Sequence, residues 1–262
     1  MRIIEDTRAP FVTPPGLWLP GRDIVGQPHG EGFEAAKKAR TPRRSTRVTF
    51  RGLKFKRRYE TLAFTEFRPL LALAFNPYVV DIREQFPIYE QEAYNRAVRA
   101  GRRMFEADKM SIDIVVTLVL PPDYRIHYHG ISVKLAGADL SEKDEARHQR
   151  EEEALGKLGW TWEFMPSNAY SALEFSNYLV MYRTIRDQDV FAQYEEADAF
   201  AEYVKKRSTN GTLGSVMRRI AKQLAVPEDR AHELFSIAAS FGMLRVDHTK
   251  PFRDDEALHV LR

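Results

Sequence analysis

The chain has no cysteine among its 262 residues. This absence excludes disulfide bonds, zinc sites that depend on thiolate ligands, and cysteine nucleophiles. It is consistent with a protein of the reducing cytoplasm, where disulfides are rare. Any catalytic or metal chemistry must therefore come from carboxylates, histidines, lysines and hydroxyl groups.

Long apolar segments are also missing. A membrane-spanning helix needs about 20 predominantly apolar residues, and the longest candidate, residues 112–120, contains Asp113 and ends at two prolines. The N-terminal residues include Glu5 and Asp6 and have no apolar signal-peptide core, so we expect no secretion. A hydrophobic fraction of 44% and a charged fraction of 29% are typical of a folded protein. We expect a cytoplasmic protein that has no membrane partner.

Two catalytic motifs are absent as well. The chain has no glycine-rich phosphate-binding loop and no nucleophile elbow of the G-x-S-x-G type. We therefore expect neither nucleotide hydrolysis nor serine-hydrolase chemistry in this chain.

Positive charge is concentrated in one segment, although the net charge is only +3. Residues 37–58 contain no acid, and their basic residues are Lys37, Lys38, Arg40, Arg43, Arg44, Arg47, Arg51, Lys54, Lys56, Arg57 and Arg58. Such a run neutralises several phosphates of a polyanion and makes its binding fall steeply with salt. Taken alone, a solvated basic face is an equally good interpretation.

The pattern along the chain predicts three parts. Residues 1–46 form an irregular basic N-terminal arm, because proline and glycine recur and no period is sustained. Residues 47–167 form a mixed sheet flanked by helices, an α/β domain. Its predicted strands are 48–50, 53–56, 79–85, 110–120, 126–135 and 160–165, and its predicted helices are 61–73 and 141–158, the latter capped by Ser141.

Residues 168–262 form the third predicted part, which is rich in helix. Helices are predicted at 189–206, 212–224 and 227–241, and short strands at 243–246 and 257–261. Three helices and a terminal hairpin are typical of a winged-helix-like domain. The third helix begins with Glu228 and Asp229, which repel DNA phosphates. We therefore expect this domain to bind mainly a protein partner. A DNA-reading wing that uses Arg245, Lys250 and Arg253 is the alternative.

Candidate catalytic residues lie on the two long predicted strands. Asp113 interrupts an apolar, β-branched run, where a charge is costly unless it is paired or bound to metal. Lys134 lies on the next strand, across one hairpin, and adjacent antiparallel strands bring such residues side by side. An acid, a hairpin and a lysine form the skeleton of a restriction-endonuclease-like site. A solvent-facing Asp113 is the alternative, since strand side chains alternate.

The usual second acid of this pattern, two residues before the lysine, is replaced by Ser132. A hydroxyl is a poor ligand for a hard metal ion, so a carboxylate must come from elsewhere. Glu66 is the candidate, because it lies amid apolar residues of the first predicted helix. A surface glutamate is the alternative. His127 and His129 alternate on a strand, and we interpret them as an exposed polar face because no third ligand is near.

The segment from Val80 to Pro87, V-D-I-R-E-Q-F-P, resembles a hallmark of the TnsA family, the endonuclease subunits of heteromeric cut-and-paste transposases. Glu66 precedes it on a helix, Asp113 follows it on a strand, and Val133-Lys134 matches the family's valine-lysine pair. The resemblance covers residues 47–164. Ser132 departs from it, since a glutamine stands there in the family, and this weakens the case for a second metal.

The resemblance implies a restriction-endonuclease-like fold followed by a winged-helix-like domain. It implies Glu66, Asp113 and Lys134 as catalytic residues, with Mg²⁺, or Mn²⁺ in its place, held by Glu66, Asp113 and the Val133 backbone carbonyl. The implied activity is hydrolysis of the strand ending 5′ at transposon ends. The implied partners are double-stranded DNA, an RNase-H-like transposase subunit and an ATP-dependent transposition regulator, in the bacterial cytoplasm at the nucleoid.

Two other functions fit the same residues. One is a free-standing restriction-like nuclease or resolvase with no transposition partners. The other is a catalytically degenerate DNA-binding protein, which the serine at position 132 favours. Metal binding that depends on Glu66 and Asp113 distinguishes an enzyme from the degenerate protein.

Overall fold

The computed structural model describes residues 3–37, 46–105, 108–137 and 139–261. The segment before the central sheet contains α1 (Ile3–Asp6), β1 (Val48–Arg51), β2 (Arg58–Thr61) and α2 (Phe64–Ala74). The sheet and its connections contain β3 (Val79–Tyr89), α3 (Gln91–Arg99), β4 (Lys109–Leu120), β5 (Arg125–Lys134), α4 (Glu142–Gly156) and β6 (Thr161–Pro166). The remainder contains α5 (Ala172–Ile185), α6 (Tyr194–Lys205), α7 (Leu213–Leu224), α8 (Glu228–Ser240), β7 (Arg245–Val246) and β8 (Val260–Leu261).

The central sheet has the strand order β3-β4-β5-β6. Strand β4 pairs antiparallel with β3 and β5, whereas β6 pairs parallel with β5. A parallel neighbour needs a long crossover, and α4 provides it. The predicted α/β class, a mixed sheet flanked by helices, is confirmed.

Helix α4 begins where the sequence predicts. The Ser141 hydroxyl accepts a hydrogen bond from the Asp144 backbone N–H at 3.2 Å, and the Asp144 carboxylate accepts one from the Ser141 N–H. This reciprocal capping box satisfies two of the free N–H groups at the helix start. It also fixes the start of α4 beside the end of β5, where the predicted site residues lie.

The second strand of the first hairpin was predicted at 53–56, and this prediction is wrong: β2 is Arg58–Thr61. The segment 53–56 is an inward-turning loop, because the Lys54 amine donates to the Asn76 carbonyl at 2.9 Å. Helix α5 is an addition to the predicted elements. Its start has a signature that sequence reasoning missed, since Ser171 and Glu174 form a second capping box.

One apolar cluster extends from the sheet into the C-terminal helices. It includes Ile114 of β4, Leu71 of α2, Met181 of α5 and Phe235 of α8. The Tyr182 hydroxyl joins α5 to the first hairpin by donating to the Arg51 carbonyl at 2.9 Å. The predicted boundary between residues 167 and 168 therefore falls within a continuous core, and the division into three parts stays a prediction.

The N-terminal part packs on the sheet. Residues Ile3 and Ile4 are buried in the large cluster, and Phe33 is buried in a smaller cluster with Phe86 and Trp160. The described residues before β1 form no helix or strand apart from α1 and a short 3-10 turn. The sequence pattern also allows a short helix over 32–40, but residues 33–37 are not helical, and residues 38–40 lie outside the described residues.

The C-terminal part contains the three predicted helices, α6, α7 and α8, followed by the antiparallel pair of β7 and β8. Helix α6 is shorter than predicted, since it begins at Tyr194. Throughout the described residues, the helices are too short or too polar to cross a membrane.

Candidate active site

Asp113 lies on β4, which is the strand between β3 and β5 in the central sheet. One carboxylate oxygen accepts the Val133 backbone N–H at 2.8 Å, and the other lies 3.4 Å from the Gln85 amide nitrogen. Its side chain is 16% exposed. Burial raises the pKa of Asp113, and the Val133 hydrogen bond opposes this shift. The strand therefore holds a carboxylate whose charged form lacks much of its normal hydration.

Glu66 lies in the first turn of α2 and is buried. Its carboxylate accepts the Leu62 backbone N–H at 2.9 Å, which fixes the side chain toward the sheet. Burial raises the pKa of Glu66 to about 7, and the negative charge of Asp113 adds to this shift. The structure thus brings the two predicted acids close enough to interact, and both side chains have little contact with solvent.

Gln85 connects these two carboxylates, and sequence reasoning missed it. Its amide N–H groups donate to Glu66 and to Asp113. In the ladder, its neighbours Glu84 and Phe86 pair with Ile114 and Ile112, so Gln85 lies opposite Asp113. Its φ of 47° is rare for a side-chain-bearing residue and stores about 1–3 kcal/mol of strain. The sequence signal was its position within the segment that resembles the TnsA hallmark.

Helix α4 directs one face toward the site. Asp144, Arg147 and Glu151 lie three and four residues apart, which places them on one side of a helix. Arg147 lies 3.8 Å from an Asp113 oxygen, donates to the Ser111 carbonyl at 3.2 Å, and pairs with Glu151 at 2.6 Å. Helix α4 therefore places a cation beside Asp113.

Ser132, which replaces an expected metal-binding residue, is hydrogen-bonded to a carboxylate. Its hydroxyl donates to Glu151, whose side chain is fully buried, and accepts from the Trp162 indole at 3.4 Å. The charge of Glu151 also contributes to the raised pKa of Asp113. A carboxylate from α4 thus lies beside the position where β5 lacks one, and sequence spacing alone did not indicate it.

Lys134 ends β5, one residue after the Val133 that contacts Asp113. Its ammonium pairs with Asp144 at 2.6 Å, and the two side chains are 30% and 29% exposed. Lys134 therefore follows the residue that contacts Asp113, but its charged group contacts Asp144 of α4.

A divalent cation fits the chemistry of this donor set. Carboxylate and backbone carbonyl oxygens are the ligands that Mg²⁺ and Mn²⁺ prefer. Glu66 and Asp113 repel one another in a poorly solvated site, and a bound cation relieves this repulsion. Over the described residues, no group of three or more acidic, histidine or cysteine side chains is placed to hold a metal. The fit therefore depends on two carboxylates, supplemented by backbone oxygen and water.

The alternating histidines do not form an exposed polar face, so that interpretation is wrong: His127 is half-buried and His129 is buried. His129 is fully buried, and His127 and His129 both contact the Thr161 hydroxyl, at 2.6 and 2.7 Å. Glu163 lies 3.3 Å from the other ring nitrogen of His129. The Thr161 hydroxyl therefore joins the two histidines between β5 and β6.

The basic run has several different roles. Lys54 and Arg57 are buried, and Arg57 pairs with Glu84 of β3. Burial lowers the pKa of Lys54 to about 7. Arg58, by contrast, is 68% exposed and pairs with Glu60 at 2.9 Å. The basic residues of the run that lie outside the described residues are Lys38, Arg40, Arg43 and Arg44.

Comparison with protein-family models and with curated proteins gave no match to this chain. A functional proposal therefore depends on the site geometry and on the resemblance noted in the sequence.

Proposed function

We propose that this chain is a Mg²⁺-dependent DNA endonuclease of TnsA-like type, the subunit of a heteromeric transposase that hydrolyses the strand ending 5′ at transposon ends. The observation that carries the proposal is the interaction of Glu66 with Asp113. These poorly exposed carboxylates come from α2 and β4 and interact beside the β5 segment that carries Lys134. Two like charges in a poorly solvated place are unfavourable for folding alone, but they suit a cation site.

The order of elements also supports a restriction-endonuclease-like domain. Helix α2, strands β3 to β5, helix α4 and strand β6 follow in the order predicted for that domain. The acid and the lysine lie on β4 and β5, which are adjacent and antiparallel, as the proposed active-site pattern requires. The winged-helix-like assignment is the corresponding proposal for α6 to α8 and the β7–β8 pair.

In this mechanism, Glu66, Asp113 and the Val133 carbonyl would hold Mg²⁺, with Mn²⁺ as a substitute. The bound ion would supply a water of lowered pKa and polarise the scissile phosphate. The chain's own residues prepare that place: Gln85 orients both carboxylates, and the Val133 N–H fixes Asp113. Lys134 offsets the negative charge that develops on the phosphate.

The partners follow from the same proposal. Double-stranded DNA at transposon ends is the substrate, an RNase-H-like transposase subunit cuts the other strand, and an ATP-dependent regulator controls the complex. Helix α8 begins with Glu228 and Asp229, and its Arg230 is already paired with Glu196 and Glu233. Because this end of α8 offers little free positive charge to phosphate, we propose that the C-terminal part binds mainly a protein. The proposed location is the bacterial cytoplasm, at the nucleoid.

The test is cleavage of end-containing DNA by the full chain with its transposase partner, with and without Mg²⁺. Asp113→Ala should reduce strand cleavage about a thousandfold, because metal-ion catalysis contributes several kcal/mol to transition-state stabilisation. The matched control is Asp123→Ala, since Asp123 lies on the same hairpin but is 48% exposed and pairs with Arg125. Cleavage by Asp113→Ala at the wild-type rate, with or without metal, would refute the site assignment.

A further inference from the structure

The ion pair between Lys134 and Asp144 has a feature that the proposed function does not explain. Asp144 uses its two carboxylate oxygens for different partners. One lies 2.6 Å from the Lys134 ammonium, and the other accepts the Ser141 hydroxyl at 2.8 Å and the Ser141 N–H at 3.2 Å. The lysine is therefore attached to the capped start of α4.

The same helix also partly neutralises Asp113. The guanidinium of Arg147 lies 3.8 Å from Asp113, and it is held in turn by Glu151 at 2.6 Å. Both charged groups of the proposed site that lie on β4 and β5 thus have an opposite charge from α4 beside them. A DNA phosphate that approaches Lys134 must compete with Asp144, whose negative charge also repels it.

The exposure of the Lys134–Asp144 ion pair allows a DNA phosphate to replace Asp144 as the partner of Lys134. Both side chains are about 30% exposed, and ion pairs with this degree of exposure contribute little to stability. A permanent positioning contact is normally buried and supported on several sides. The Arg57–Glu84 pair of this chain is such a contact, with side chains 7% and 1% exposed.

We infer that Asp144 is a positioning residue. In the protein without DNA, it pairs with the Lys134 ammonium and keeps this group away from Glu66 and Asp113. When DNA binds, a phosphate replaces Asp144 as the partner of the lysine. This inference rests on the proposed function, because it assumes that Lys134 acts on the scissile phosphate. It assigns to the start of α4 the control of when the lysine becomes available.

The experiment uses the full-length protein with Asp144→Asn, which removes the charge and keeps an oxygen for the Ser141 cap. The matched control is Glu142→Gln, which removes a charge from the same first turn of α4 at an exposed position. Two quantities are measured. One is the rate at which an amine-acylating reagent modifies Lys134, followed by peptide mass spectrometry, and the other is the single-turnover rate of DNA nicking in Mg²⁺ or Mn²⁺ at subsaturating DNA.

Release of the lysine should raise both rates about threefold to fivefold in Asp144→Asn, the range open to a partly exposed ion pair. The change in nicking should appear mainly in KM, since DNA no longer competes with Asp144. Glu142→Gln should leave both rates at the wild-type value. If Asp144 acted only in the helix cap, Asp144→Asn would not raise the acylation rate of Lys134 and would leave KM unchanged.

Three outcomes overturn the inference: an unchanged acylation rate, an equal rise in Glu142→Gln, or slower nicking in Asp144→Asn. Failure of the proposed function is recognised separately, with Asp113→Ala and Lys134→Ala in the same assay. If those variants nick as fast as the wild type, the nuclease assignment fails whatever Asp144 does. If they are inactive and Asp144→Asn is slow, the nuclease assignment holds and the inference about Asp144 fails.

Discussion

Two groups of buried charged residues flank strand β3, and they differ in whether opposite charges meet. In the first group, Arg83 pairs with Asp23, and both side chains are fully buried. Asp81 lies 3.9 Å from the same guanidinium. In the second group, Glu66 and Asp113 are both acids, and the neutral Gln85 amide lies between them. We call the first group balanced, because both of its acids contact the guanidinium. The second group is unbalanced, because Arg147 lies 3.8 Å from Asp113 whereas Glu66 has no ion pair among the described residues.

The difference separates a structural role from a functional one. The Arg83 guanidinium is also covered by aromatic rings, including Phe86 at 4.6 Å. Its positive charge therefore interacts with acids and aromatic rings of the folded chain. Among the described residues, Glu66 makes no ion pair, and burial leaves its pKa near 7. A carboxylate with a perturbed pKa and no ion-pair partner, such as that of Glu66, is typical of functional sites. Balance of charge, rather than burial, therefore distinguishes the two groups.

The largest effect on stability is expected from breaking the balanced group. Arg83→Met should lower the free energy of unfolding by about 3–5 kcal/mol, because it leaves the buried Asp23 carboxylate with its backbone N–H donors but without a counter-charge. Arg125→Met is the control, since that side chain is 83% exposed, and its effect should stay within about 0.5 kcal/mol. Urea denaturation followed by circular dichroism measures both.

The second variant of the balanced group tests the cause. Adding Asp23→Asn to Arg83→Met removes the unpaired charge and should recover part of the lost stability. No recovery would mean that Arg83 acts mainly through its packing against aromatic rings, and the contrast between the two groups would weaken.

In the unbalanced group, removing a charge is expected to raise the free energy of unfolding. The folded-state pKa of Glu66 is about 7, above the ordinary value of 4.5, so the folded protein binds more protons than the unfolded chain between these pH values. Its contribution therefore falls as pH rises through this window. At pH 8, Glu66→Gln should be more stable than the wild type by up to about 3 kcal/mol, and near pH 4.5 the difference should vanish.

Chemical denaturation at several pH values, without divalent cations, measures this difference. Glu152→Gln is the control, because Glu152 is exposed on α4. A Glu66→Gln protein that is less stable than the wild type at pH 8 would show that this carboxylate stabilises the fold, as the paired acids do.

The sequence predicted the parts of the fold that depend on local patterns. Strands β4 and β5 were found because β-branched runs flank a short turn, and α4 because Ser141 caps it. Contacts between distant residues were not predictable in this way. The hydrogen bond of Ser132 with Glu151 and the ion pair of Lys134 with Asp144 depend on where α4 packs after its crossover.

The candidate site shows the same limit. Asp113 and Lys134 could be chosen from one hairpin, and Glu66 from an acid within an apolar helix. The role of Gln85 depends on its positive φ and on its position opposite Asp113. Secondary-structure propensities predict neither of these features. The basic run misled in part, because composition does not tell a buried Arg57 from an exposed Arg58.

The smallest expected effect concerns that neighbouring pair of arginines. Arg58→Ala should leave stability within about 0.5 kcal/mol of the wild type, because the side chain is 68% exposed. If Arg58 contacts a phosphate, the slope of log affinity against log salt should become shallower by about 0.9. Fluorescence anisotropy with duplex DNA at several salt concentrations measures the slope. An unchanged slope would identify this part of the run as a solvated face.

The most direct test of the central claim is the thermal unfolding temperature with and without Mg²⁺ at pH 8. The wild type should gain about 5 °C at a Mg²⁺ concentration near a hundred times the dissociation constant, because binding to the folded state adds about 2.7 kcal/mol. Glu66→Gln and Asp113→Asn should gain little, while Arg125→Met should respond as the wild type does. An equal gain in all four proteins, or no gain in the wild type up to millimolar Mg²⁺, would contradict the proposal that these two carboxylates form a cation site.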